Sequence, residues 1–81
     1  MLTSPELIFA ARIAIGMNRE ELAVASGVSN KTVYKIETGK PVATRSFVAC
    51  QKVLEDRGVE FFFANNRIGF SVPGKPGLNT P

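Results

Sequence analysis

Histidine is absent from this sequence of 81 residues, and cysteine occurs once, at Cys50. A single cysteine cannot form a disulfide within the chain, and there is no histidine to join it in a zinc site or a catalytic pair. We therefore expect no metal and no other cofactor. Because the sequence also lacks a glycine-rich phosphate loop and an inward pair of carboxylates, we do not expect an enzyme.

Long apolar runs are missing as well. The longest run near the start, residues 7–11, is followed by Arg12 and is far shorter than the roughly 18 residues that a membrane-spanning helix needs. The sequence shows no secretory signal. It accordingly predicts a protein without a membrane span that works in the cytoplasm.

What the chain does contain is typical of one small globular domain. Hydrophobic residues make up 44% of the chain and charged residues 21%, which suits an ordinary folded protein with a small core. Two cores would leave each half of the chain below the size that usually folds unaided. We expect one compact domain.

The charge is unevenly distributed along the chain. The formal net charge is +3, yet residues 31–52 contain five basic residues and only one acidic residue, Glu37. The basic residues are Lys31, Lys35, Lys40, Arg45 and Lys52. Such a one-sided segment is typical of a surface that binds a polyanion, although a solvated face has the same pattern.

Capping residues predict where the first two helices begin. Ser4 precedes Pro5, an order that favours a helix start, so we place the first helix at about residues 4–15. Asn18 with Glu21 three residues later matches the capping-box pattern and predicts a second helix of about two turns. The residues expected to face inward are Ile8, Ala11, Arg12 and Ile15, followed by Leu22, Ala23 and Ala25.

Two further helices follow in the same pattern. Ser29 is the expected cap of a third helix that ends at Gly39, and Thr44 is the expected cap of a longer fourth helix that ends at Gly58. The expected inward residues are Val33 and Ile36 in the third helix, and Phe47, Cys50 or Gln51, and Leu54 in the fourth, with Val48 and Val53 beside them.

Beyond Gly58 the apolar period changes to two, which predicts a β-hairpin that turns at Asn65 and Asn66. Residues 73–81 contain three prolines and two glycines without an apolar period, and predict a flexible tail. The expected fold is therefore mainly α with a C-terminal β-hairpin. Its parts are a helical domain at residues 1–58, a hairpin packed on it at residues 59–72, and the tail.

The second and third predicted helices match a helix-turn-helix. Ala23 is small enough for the two helices to cross closely, Gly27 can adopt a left-handed turn conformation, and Val28 and Val33 can fill the angle between the helices. Such a pair presents one helix to the major groove of DNA.

Residues 12–40 also resemble the Cro/CI-type (XRE-like) helix-turn-helix regulators of phages and bacteria. The resemblance is carried by Arg12-Ile-Ala-Ile-Gly-Met-Asn-Arg-Glu-Glu-Leu-Ala23 and by Gly27-Val-Ser-Asn-Lys-Thr-Val-Tyr-Lys-Ile-Glu-Thr-Gly39. It implies a lambda-repressor-like four-helix DNA-binding domain. The family usually has glutamine where this chain has Arg19, so a contact made by an amide would become a charged one.

The resemblance implies that four residues of the recognition helix, residues 29–38, read bases. They are Asn30, Lys31, Tyr34 and Lys35. A lysine suits guanine O6 and N7, asparagine suits adenine N6 and N7, and tyrosine suits a thymine methyl group or a phosphate. A simple solvated helix face is the alternative interpretation.

The same resemblance implies phosphate contacts and one structural ion pair. The expected phosphate contacts are Asn18, Arg19, Thr32, Lys40, Thr44 and Arg45. Each of these residues could also be an ordinary surface group. Arg12, on an inward stripe, needs a partner, and the resemblance implies that it pairs with Glu37 at the far end of the recognition helix.

Three consecutive phenylalanines in the hairpin cannot all face one core, because successive strand side chains point to opposite faces. Either the hairpin packs on the helices with Phe62 partly exposed, or it forms a homodimer interface. We favour the homodimer, since operator-binding proteins of this kind commonly reach two half-sites about 34 Å apart. The expected interface residues are Phe61, Phe62, Phe63, Ile68 and Phe70.

The expected function is sequence-specific binding of double-stranded DNA by a homodimeric transcriptional regulator on an inverted-repeat operator. It would repress where the operator overlaps a promoter, and activate where it contacts polymerase. We expect it to be associated with the nucleoid. The alternative is the antitoxin of a toxin–antitoxin pair, which binds its own promoter and a toxin protein.

Overall fold

Four helices and one two-stranded hairpin build the part of the chain that the computed structural model describes, residues 2–74. The helices are α1 (Pro5–Ala14), α2 (Arg19–Ser26), α3 (Asn30–Glu37) and α4 (Thr44–Asp56), and the strands are β1 (Glu60–Ala64) and β2 (Arg67–Ser71). The predicted fold class, mainly α with a C-terminal hairpin, is confirmed.

Side-chain caps fix the beginnings of the first three helices where the sequence predicts them. The Leu7 amide donates to the Ser4 hydroxyl at 3.3 Å. The capping box before α2 is complete, because the Glu21 amide donates to Asn18 Oδ1 at 2.7 Å and the Asn18 amide donates to Glu21 Oε1 at 2.8 Å. Ser29 caps α3 in the same manner. Each cap satisfies amides that a helix start leaves without a partner.

The start of α4 differs from the prediction. Thr44 is the first helical residue rather than the cap, and the cap position is occupied by Ala43 in an extended conformation, without a side-chain hydrogen bond. A residue already in the helical conformation cannot serve as the N-cap, whose backbone must be extended. The first amides of α4 are therefore left without a side-chain acceptor.

The core lies where the four helices meet. Its fully buried side chains include Ile8, Leu22, Val33, Ile36, Cys50 and Leu54. Two residues that the sequence placed inward or beside the core are exposed instead, namely Ala25 and Val48. Ala25 lies roughly 200° around α2 from the buried Ala23, so one helix cannot turn both inward.

The hairpin has the predicted turn and an antiparallel register that pairs Phe61 with Phe70 and Phe63 with Ile68. Asn65 and Asn66 have φ angles of 54° and 60°, as a two-residue type I′ turn requires. Only the pair nearer the helices packs on the core, since Phe61 and Phe70 are partly buried there. Phe63 and Ile68 lie on the same face but closer to the turn, and are half-exposed.

Gly58 joins α4 to the hairpin in a way that needs glycine. Its φ angle is +95°, and a Cβ atom at this position would lie 2.9 Å from Cγ of Pro73. Pro73 therefore lies against Gly58 at the base of the hairpin. The other residues of the predicted tail after Gly74, residues 75–81, lie outside the described residues.

Candidate nucleic-acid interface

The turn between α2 and α3 has the geometry of a helix-turn-helix. Gly27 ends α2 with a φ of 75°, and the amides of Gly27 and Val28 both donate to the carbonyl of Ala23, at 3.0 and 3.1 Å. Ala23 is buried and Val33 of α3 is fully buried beside it. The turn and the inward packing predicted from these residues are therefore present, and one side of α3 stays exposed.

The free side of α3 carries the four residues predicted to read bases. Asn30, Lys31 and Tyr34 are exposed and Lys35 is partly exposed, whereas Val33 and Ile36 on the other side are buried. The structure thus brings two cations, one amide and one phenol together on a single helix face. These groups can donate to the acceptors that base edges present in the major groove.

The residues predicted to contact phosphate surround this face at three places. Asn18 and Arg19 are at the start of α2, Lys40 follows α3, and Thr44 and Arg45 begin α4. Asn18 uses its carbonyl oxygen in the capping box, so only its amide nitrogen remains to donate outward. Because α4 lacks a side-chain cap, its first turn also presents open amides next to Arg45.

Thr32 is tied to the start of its own helix. Its hydroxyl lies 2.9 Å from the hydroxyl of Ser29, and Ser29, Thr32 and Arg45 line one surface pocket. The pocket brings the first turn of α3 next to the first turn of α4. An anion there would meet two hydroxyls and one guanidinium.

A buried ion pair holds the recognition helix against α1. Arg12 Nε donates to Glu37 Oε2 at 2.6 Å and Arg12 Nη2 donates to Glu37 Oε1 at 3.1 Å. Arg12 Nη1 also donates to the carbonyl of Met17 at 3.0 Å. The side chains are only 6% and 2% exposed. One guanidinium thus connects α1, the loop before α2 and the end of α3.

Arg19 is not simply an outward-pointing cation. Its Nε lies 3.6 Å from Glu37 Oε1, and its guanidinium carbon lies 5.2 Å from the centroid of the Tyr34 ring. Neither contact is predicted by the sequence pattern, although one sequence signal pointed to the contact with Glu37. Arg19 is charged where the Cro/CI-type family usually has glutamine, and a charged residue there can pair with the acid at the end of α3.

Two further contacts of Arg12 were also missed. The guanidinium carbon lies 5.4 Å from the centroid of the Phe9 ring, which is explained by their spacing of three residues on α1. The bond to the Met17 carbonyl has no sequence signal, because any residue can offer a carbonyl.

Cys50 lies apart from this surface. Its thiol donates to the hydroxyl of Ser26 at 3.5 Å, and burial raises its pKa above the ordinary value. A thiol with a raised pKa is a poor nucleophile. Cys50 therefore acts as part of the core.

The model of the helix-turn-helix family matches residues 8–54, more than half of the chain. The chain belongs to this family. The resemblance to the Cro/CI-type regulators is confirmed, and this helix-turn-helix protein is a DNA-binding transcriptional regulator. Its family consists of regulators that are generally not enzymes. No curated protein matches the chain. Within residues 2–74, no helix is both long and apolar enough to cross a membrane.

Removal of one partner from the buried ion pair should strongly destabilise this helix-turn-helix protein. We expect Arg12→Met to lower the free energy of unfolding by about 3–5 kcal/mol, because it leaves the Glu37 carboxylate desolvated with only the longer contact to Arg19. The double variant Arg12→Met/Glu37→Leu should lose less than Arg12→Met alone, since no unpaired acid remains. Urea unfolding followed by circular dichroism measures both changes.

The exposed pair of Lys52 and Asp56 provides the matched control, because its side chains are 70% and 64% exposed and their charged atoms are 3.4 Å apart. Lys52→Met should change the stability little. If Arg12→Met destabilised the protein no more than Lys52→Met, the ion pair would not hold the recognition helix.

Proposed function

We propose that this regulator acts as a homodimer that places α3 of each copy in the major groove of an inverted-repeat operator. The observation that carries the proposal is the exposed face of α3, where Asn30, Lys31, Tyr34 and Lys35 stand together on a helix whose other side is buried. Lys31 and Lys35 suit guanine, Asn30 suits adenine, and Tyr34 suits a thymine methyl group or a phosphate.

The phosphate contacts proposed around α3 position the protein on the duplex. Asn18 and Arg19 would approach one strand from the start of α2, and Lys40 with Arg45 would approach from the loop and helix that follow α3. Thr32 and Thr44 would add hydroxyl donors. Such contacts carry affinity without sequence information, so they should act on every duplex alike.

The direct test is selection of bound duplexes from a random DNA pool at near-physiological salt, followed by sequencing. We expect enrichment of an inverted repeat whose half-sites lie about one helical turn apart, because two symmetry-related α3 helices would read them. Enrichment of a lone half-site would contradict the dimer and keep the base reading. Failure of folded protein to enrich any sequence would contradict sequence-specific binding.

Two substitutions separate base reading from phosphate contact. With the selected operator, Lys35→Ala should relax the preference at one base step, at a cost of about 1–3 kcal/mol for the preferred base. Arg45→Ala should weaken binding to operator and random duplexes equally and reduce the salt slope of the affinity by about one. Titration of both duplexes at several salt concentrations measures the two effects. Equal losses on both duplexes for both variants would contradict the two assignments.

The proposed dimer interface is the hairpin. Phe63 and Ile68 pair on one face of the sheet and are 55% and 50% exposed, and Phe62 on the opposite face is 52% exposed. The sheet has two strands, whose outer edges have no partner strand within residues 2–74. Such edges and exposed apolar groups favour association with a second copy. Phe61 and Phe70 pack on the core of their own chain. The centroids of their rings lie 6.3 Å apart.

Phe62 has a second role within the hairpin. It pairs with Gly69 across the strands, and a Cβ atom at Gly69 would lie 2.8 Å from the Phe62 ring. The ring therefore covers the glycine and still leaves half of its own surface to solvent. For this reason Phe63 is the cleaner position at which to test association.

We expect Phe63→Lys to convert the protein to a monomer at micromolar concentration, because a charge would be buried in the apolar interface. Val24→Lys is the matched control, since Val24 is 78% exposed and lies on α2, away from the hairpin. Sedimentation velocity distinguishes the two states. A Phe63→Lys protein that sediments as the wild type does, with the wild type dimeric, would contradict the hairpin interface.

An antitoxin is the second candidate function. A groove beside the N-terminal segment is lined by Leu2, Ser4, Gln51, Glu55, Phe61 and Ile68, away from the recognition face, and its apolar lining suits a protein partner. In that case the same chain would bind its own promoter and a toxin. Either regulator would act where the DNA lies, at the nucleoid in the cytoplasm.

A further inference from the structure

Arg19 joins the start of α2 to the exposed face of α3. Its guanidinium carbon lies 5.2 Å from the centroid of the Tyr34 ring, close enough for a cation–π contact. On its other side, Nε lies 3.6 Å from Glu37 Oε1. Within residues 2–74, no side chain other than Arg19 is seen to contact both the Arg12–Glu37 ion pair and a residue of the exposed α3 face.

Glu37 binds Arg12 more closely than it binds Arg19. Arg12 hydrogen-bonds to both carboxylate oxygens of Glu37, at 2.6 and 3.1 Å, and so takes the better geometry. The Nε atom of Arg19 is buried and finds no hydrogen-bond acceptor among the described residues. Two cations therefore share one acid, and Arg19 keeps a net positive charge that its longer contact to Glu37 does not neutralise.

The contact with Arg19 limits the orientations that the Tyr34 ring can adopt. Tyr34 is 45% exposed, and an exposed aromatic side chain on a helix has more than one staggered χ1 rotamer available. A guanidinium held over one face of the ring blocks part of that freedom. The Arg19 side chain as a whole is 40% exposed.

We propose that Arg19 is a specificity-determining positioning residue, which holds the Tyr34 ring in the direction from which it contacts the operator. The inference rests on the proposed function, because it assigns Arg19 a role in base discrimination through Tyr34. It differs from a phosphate contact alone, which would strengthen binding to every duplex equally.

A spectroscopic test needs no DNA. The chain contains one tyrosine and no tryptophan, so its intrinsic fluorescence reports on Tyr34 alone. We expect Arg19→Gln to raise quenching by acrylamide and to lower the anisotropy of this fluorescence, because the ring loses its cover. Arg45→Gln is the matched control, since it removes the same charge elsewhere on the surface. Acrylamide is neutral, so the change of charge itself does not alter the collision rate. Unchanged quenching and anisotropy in a folded Arg19→Gln protein would overturn the proposal.

The DNA test compares binding to the selected operator and to a scrambled duplex. We expect Arg19→Gln to lower the ratio of the two affinities by about two- to fivefold, the factor that corresponds to an exposed cation–π contact. Arg19→Lys should keep the salt slope and still lose part of the ratio, because an ammonium group lacks the planar face of a guanidinium. Arg45→Gln should lower both affinities and keep the ratio.

The double variant Arg19→Gln/Tyr34→Ala decides how the two residues act. If Arg19 works through Tyr34, the double variant should have the same operator preference as Tyr34→Ala alone. Additive losses of the ratio, or equal losses of Arg19→Gln on both duplexes, would overturn the positioning role while the wild type still discriminated. A wild type that binds both duplexes equally would instead overturn the proposed function and this inference together.

Discussion

The hydrogen-bonded ion pair between Arg12 and Glu37 is the constraint on which the recognition surface depends. A helix of eight residues, such as α3, is too short to be stable alone in water, so its existence and its orientation come from packing. Val33 and Ile36 supply the apolar part of that packing. Apolar contacts allow a helix to slide or rotate slightly, whereas a bidentate pair at the end of the helix fixes its position relative to α1.

The same acid also bears on how the exposed groups of α3 are arranged. Glu37 is the sole acid within residues 31–52, and it lies on the inner side of α3, away from the exposed cations. Its charge is paired with Arg12 and, at a longer distance, with Arg19. The outer face of α3 consequently carries Lys31 and Lys35 without a neighbouring acid on that helix. The charge on the exposed face of α3 is therefore purely basic, although the whole chain is only mildly basic.

Much of this fold follows from local chemistry. Ser4, Asn18 and Ser29 predict three helix starts because each cap acts within one turn, and Asn65 with Asn66 predicts the hairpin turn because both residues tolerate positive φ. The features that the sequence did not predict depend on distant packing. The start of α4 at Thr44 is one of these. The exposed position of Val48, which the sequence placed beside the core, is another, because it depends on which side of α4 the other helices cover. The contacts of Arg19 belong to the same class, since α2 must first be docked beside the end of α3.

We expect DNA to bind on the exposed side of α3 and the hairpin to stay away from DNA. The most direct measurement is an amide chemical-shift map of ¹⁵N-labelled protein titrated with the selected duplex. We expect the largest shifts at residues 30–35, with further shifts at residues 18 and 19 and at residues 40–45, and small shifts along β1 and β2. Shifts concentrated on the hairpin, with the amides of α3 unmoved, would contradict this expectation.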